Sequence, residues 1–173
     1  AIALIGNHEF NALCFNRKAP GCNSLRPHSP KNLRQHRQTL RQFRNNEEAC
    51  EHYLAWFKTL PLFYEGNGFR AVHACWDHDH INYLKARLDN HCLNEELLQE
   101  AGQKNTELFR AIDDTLTGKE ITLPEGYHFY DKDENKRDEI CIRWWEAPDT
   151  MTYRSISVHP ITELPEQLVD VSA

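Results

Sequence analysis

An apolar run from Ala1 to Ile5 leads into Gly6-Asn7-His8-Glu9, and a second, Phe69-Arg70-Ala71-Val72, leads into His73-Ala74. The side chains that follow these runs suit one kind of chemistry. A neutral amide oxygen and a neutral imidazole can complete the shell of a divalent cation whose charge is already offset by carboxylates. A further imidazole beside them suits proton transfer near neutral pH. An Asn-His pair after a strand also serves ordinary turns, so the tetrapeptide alone carries little weight. Its recurrence as a second strand ending in histidine carries more.

Gly6-Asn7-His8-Glu9 resembles the G-N-H-[DE] motif of the calcineurin-like metallophosphoesterases, and Val72-His73-Ala74 resembles that family's V-H-[GA]-G signature. Its members include serine/threonine protein phosphatases and bacterial diadenosine tetraphosphatases. The resemblance implies an α/β fold arranged as a four-layer αββα sandwich. It implies hydrolysis of a phosphoester or phosphoanhydride with two divalent metal ions, manganese, iron or zinc. Asn7 and His73 would ligate metal, and Glu9 would steady the loop. His8 would donate a proton to the leaving oxygen while a hydroxide activated by metal attacks phosphorus from the opposite side. Ile140 to Trp145 is similar to a strand that carries an Arg or Trp toward substrate, which makes Arg143 a phosphate clamp; a solvent-facing Arg on a strand fits the same residues equally well. Substrates of this class are phosphorylated small molecules, nucleotides or phosphoproteins.

Two departures stand beside the resemblance. Cys75 occupies the place of the family's Gly, no D-x-H stands upstream of the first motif, and the G-D-x-x-D-R-G and G-H-x-H elements do not occur. The expectation is therefore an internal fragment, truncated at both ends and beginning inside a buried strand, that binds metal poorly and hydrolyses little by itself.

The elements that must position these residues follow from pattern. Residues 1 to 5 are expected as a buried strand ending at Gly6. Residues 16 to 32, with Pro20, Pro27 and Pro30, are expected as loop, followed by a helix over 31 to 44 burying Leu33, Leu40 and Phe43. A second helix spans 46 to 58, with Asn45 and Glu48 as a capping box and Pro61 beyond its end. Leu62 to Glu65 and Phe69 to Ala74 flank Gly66-Asn67-Gly68 as a hairpin that delivers His73. Residues 77 to 118 form a helical insert or cap, with Ile81, Leu84 and Leu88 on one segment and Leu108, Phe109, Ile112 and Leu116 on another. Trp76 and Asp77 pack and cap its start. Short strands are expected at 121 to 123, 127 to 130, 140 to 145 and 152 to 158, and the tail after Pro160 is left without a partner.

Over 173 residues, 40% hydrophobic and 27% charged, the chain reads as one partial domain, 1 to 173, able to bury a core. The longest apolar stretches are far short of the ~20 residues a bilayer helix needs. Six cysteines without C-x-x-C spacing point to a reducing, cytoplasmic setting. The net charge of −6 is uneven, since residues 1 to 45 hold eight Lys or Arg against the single acid Glu9. This suits a locally held anion, whereas nucleic-acid binding is expected of a chain basic throughout. The rival reading is a non-catalytic module in which segment 17 to 44 grips nucleic acid or an acidic partner; a degenerate, inactive phosphatase is a third. Gly118-Lys119 lacks the flanking residues of a phosphate loop, Asp131-x-Asp133-x-Asn135 lacks the Gly and Glu of a calcium loop, and His78 with His80 do not share a helix face.

Overall fold

The computed structural model describes residues 1–17, 24–132 and 134–170; Lys18, Pro20, Cys22 and Asp133, which the sequence reading uses, lie outside them. The fold is mixed α/β, rich in helix, with three two-stranded antiparallel sheets among the described residues. Two compact units divide it, residues 1–117 and 118–173, where the sequence reading takes 1 to 173 as one domain. The helices expected as an insert belong to the first unit.

The expected strand over residues 1 to 5 does not form. Ala1 to Ala3 are exposed, and Ile5 alone is fully buried, its N–H donating to the Pro61 carbonyl at 3.0 Å. After Gly6 the chain enters helix α1, Asn7–Asn16, directly. Its buried residues Phe10, Leu13 and Cys14 recur at helical spacing and turn one face inward against α4, Glu47–Lys58, and α7, Glu107–Thr117. On α7 the buried set Leu108, Ala111, Ile112, Thr115 and Leu116 faces α5, His78–Arg87, and α6, Glu95–Ala101. Leu13, Leu84, Leu98, Leu108 and Ile112 are 0% exposed, each contributing roughly 1.5–3 kcal/mol by leaving water.

The helix expected over 31 to 44 is two short ones, α2, Pro30–Gln35, and α3, Arg37–Gln42, meeting at His36. Ser29 caps α2 through a hydrogen bond from Asn32 N, and Pro30 occupies its first turn. Leu33 and Leu40 are exposed and Phe43 is half-buried; the side chain taken inside is His36. His36, with φ −92° and ψ 4°, departs from helical geometry and interrupts the helix between α2 and α3. The cap of α4 is Asn46, accepting from Ala49 N at 3.1 Å, one residue after the expected Asn45.

The hairpin forms, with a turn one residue shorter than the expected Gly66-Asn67-Gly68 and a second strand that ends at Val72 rather than Ala74. Strands β1, Phe63–Gly66, and β2, Phe69–Val72, pair with Gly66 opposite Phe69, leaving Asn67-Gly68 as a two-residue turn with φ of 53° and 79°. Positive φ at both positions matches the twist of the flanking strands and is available to Asn and Gly at low cost. Trp76 is buried against Phe63, and Asp77 caps α5 by accepting from Asp79 N and His80 N.

In the second unit, β3, Glu120–Thr122, pairs with β6, Glu139–Cys141, and β4, Phe129–Tyr130, with β5, Lys136–Arg137. Strand β5 falls between the strands expected over 127 to 130 and 140 to 145. The strand expected over 152 to 158 is mostly helix α8, Tyr153–Ile156, because Thr152 and Ser155 cap its first turn reciprocally. Trp144 and Trp145 lie in a turn beyond β6. The tail does have partners: Leu164 and Val169 join Leu123, Ile140, Ile142, Tyr153 and Ile156 in the core, and Arg154 pairs with Glu166.

Candidate functional site

Gly6 is the N-cap of α1, in extended conformation, and Glu9 one turn on accepts its N–H at 3.0 Å through Oε2. The carboxylate thus satisfies one of the orphan donors of the helix start and complements the positive end of its dipole. The expected steadying role of Glu9 corresponds to this bond. Asn7 and His8 are then consecutive residues of a first helical turn, about 100° apart around the axis. The helix thus sends the two side chains in different directions. Asn7 is half-buried on a cavity shared with residues 25 to 35 and the segment between α6 and α7, while His8 is exposed on another, shared with α3 and α4.

His73 follows β2 directly. The next two N–H groups, of Ala74 and Cys75, both donate to the Thr115 carbonyl in the last turn of α7, at 3.1 and 3.3 Å. The hairpin turn and this double tie bring the His73 imidazole against Gly6, so closely that a Cβ on Gly6 would stand 2.9 Å from His73 Cε1 and 3.1 Å from Nδ1. The two histidine-bearing motifs, remote in sequence, therefore meet at Gly6, whose missing side chain is the space His73 uses. Arg143 is exposed in the second unit, one residue past the bridge of Ile142 with Ser157, and its N–H donates to the Ile156 carbonyl at 2.9 Å. It borders a cavity with Arg154 and His159.

The sequence places His36 at the end of the basic stretch 26 to 36, on a solvated helix face or in reach of phosphates, and gives no sign of its burial. His36 is 7% exposed, packs tilted against Phe15 at 4.4 Å, on which His28 stacks at 4.0 Å, and shares the His8 cavity. Its Nε2 is buried without a hydrogen-bond partner. Burial, and then the charges of Arg26, His8 and His28, hold its pKa below the usual histidine value.

Among the described residues no three His, Cys, Asp or Glu side chains gather to hold a metal ion. Beside Gly6 the chain offers one imidazole, a neutral amide on the next residue, and a carboxylate already engaged by an N–H. These donors fit the neutral part of a divalent shell; the charge-balancing carboxylates would have to be other residues. No helix among the described residues is long and apolar enough to cross a membrane. Comparison with family models, with curated proteins and with solved structures gives no match.

Proposed function

We propose that this chain carries part of the catalytic centre of a metal-dependent phosphohydrolase of the calcineurin-like type, with an αββα sandwich as its complete architecture. One observation supports the reading above others: the packing of His73 against Gly6, immediately before Asn7 and His8. In this proposal Asn7 and His73 hold a divalent metal, manganese, iron or zinc, which when bound polarises the phosphoryl group for attack. His8, exposed in the first turn of α1, holds the proton that the leaving oxygen takes. Arg143, which belongs to the second unit, is carried as a phosphate-binding residue on the resemblance alone. The setting is a reducing cytoplasm, in keeping with Cys14, Cys50, Cys92 and Cys141 remaining as thiols. The test is hydrolysis of an aryl phosphate by the full-length protein with added manganese. His8→Asn is expected to lower kcat by about a hundredfold or more. Absence of metal-stimulated turnover, or an unaltered rate in His8→Asn, overturns the assignment.

A second reading has its own support. Arg34, Arg37 and Arg41 are exposed on α2 and α3 and form no ion pair with a carboxylate among the described residues, as a surface for nucleic acid or an acidic partner would require. It is separated from the first by charge reversal at all three, which would abolish such binding and its salt dependence while leaving hydrolysis intact.

A further inference from the structure

A cavity of about 780 Å³ lies along the face of α1 that carries Asn7, Asn11 and Cys14, walled by residues 25 to 35 and by the segment between α6 and α7. Its size is that of a site for a small ligand. Three cations reach its wall from three separate segments: Arg26 from the loop, Lys31 from α2 and Lys104 from the α6–α7 connection. Among the described residues no Asp or Glu lines it, in a chain of net charge −6. None of the three cations is in an ion pair among the described residues. The Arg26 guanidinium donates to the Asn11 side-chain oxygen, a neutral partner that orients the charge without cancelling it.

Like charges gathered around a concave surface repel one another, and the potential they raise falls when an anion enters. A single phosphate accepts several hydrogen bonds, but only from donors that converge on one point. Cations spread over three chain segments, interleaved with the amides of Asn7, Asn11 and Asn32, match an anion whose charge is spread along a chain. We propose that this cavity binds an oligophosphate, either inorganic or the phosphate chain of a nucleotide. As a statement of substrate class the proposal rests on the hydrolase reading, since Asn7 belongs to both; as a statement of binding it stands apart.

Calorimetric titration of the full chain at low salt tests it, with tripolyphosphate, ATP and orthophosphate as ligands. Tripolyphosphate is expected to bind at one site at least about tenfold more tightly than orthophosphate. Lys31→Gln with Lys104→Gln, both exposed positions that folding does not need, should weaken it by about tenfold or more. Arg34→Gln with Arg41→Gln, basic positions off the cavity wall, should change it less than about twofold. ATP binding more tightly than tripolyphosphate assigns the nucleotide; equal or weaker binding assigns the inorganic chain. No binding, equal affinity for orthophosphate, or equal losses in the two double variants overturns the proposal. Binding without metal-stimulated hydrolysis leaves it standing and removes the hydrolase reading; hydrolysis of aryl phosphate without oligophosphate binding does the reverse.

Discussion

The His73 ring rests on the α-carbon of Gly6, in the space a side chain would fill, and Glu9 closes the same corner: a Cβ on Gly6 would stand 2.8 Å from Glu9 Oε2 and 2.9 Å from His73 Cε1. Gly6 is in ordinary extended conformation, so the requirement here is space and not backbone freedom. Both obstructing atoms are the tips of side chains, which can swing away. Gly6→Ala is accordingly expected to keep the fold, to lose about 1 kcal/mol as the Glu9 cap loosens, and to displace His73. Thermal unfolding reads the first effect, and the His73 Cε1–H resonance in NMR the second. An unmoved resonance in a folded variant would show that the two residues do not share this corner.

His36 sets a pH dependence of stability. Its folded pKa lies below the ordinary value of 6.5, burial being the first cause, so the unfolded chain takes up a proton more readily than the native one. Its contribution is present above about 6.5 and is lost as pH falls from there toward the depressed value. His36→Leu removes both the titration and the unpartnered Nε2, and should flatten the stability profile below pH 6.5 while adding about 1 kcal/mol at low pH. Urea denaturation at a series of pH values checks this; an identical slope in the variant would assign the acid sensitivity elsewhere.

Cys14 lies in the core beneath the cationic cavity, and burial pushes its thiol up to about 12 against the smaller opposing pull of Arg26. At pH 8 this leaves roughly one molecule in ten thousand as the reactive thiolate. Alkylation of Cys14 by iodoacetamide should be at least about a hundredfold slower in the native chain than in urea, as read by peptide mass spectrometry. Equal rates would mean that α1 opens readily or that the thiol is not buried there.

The elements legible in the sequence were those set by local chemistry. Asn67-Gly68 between two apolar runs specified the hairpin, Asp77 the start of α5, and the spacing of Leu108, Ile112 and Leu116 the inward face of α7. Elements set by tertiary contact were not. Ala1 to Ile5 has the composition of a buried strand, yet a strand needs a neighbour to pair with, and only Ile5 finds one, in Pro61. Thr152 to Val158 alternates like a strand, but Thr152 and Ser155 cap each other and carry the segment into a helical turn. For the candidate site, Asn7, His8 and His73 are offered by motif resemblance, and the meeting of His73 with Gly6 is the relationship that spacing cannot supply. The cationic wall of the α1 cavity was visible in part as a basic stretch; Lys104, distant in the chain and lying amid neutral residues, gave no sign of joining it.

The two-residue turn at Asn67-Gly68 makes the delivery of His73 a nearly local event, since few residues must be ordered to close it. Bringing α1 up to that histidine closes a far longer loop, at an entropic cost that grows only slowly with length. Substitutions in the turn therefore alter the fraction of molecules in which the corner is assembled, whereas substitutions at Gly6 alter the corner itself. A defect of the first kind is recovered by cooling or stabilising solutes; one of the second kind is not.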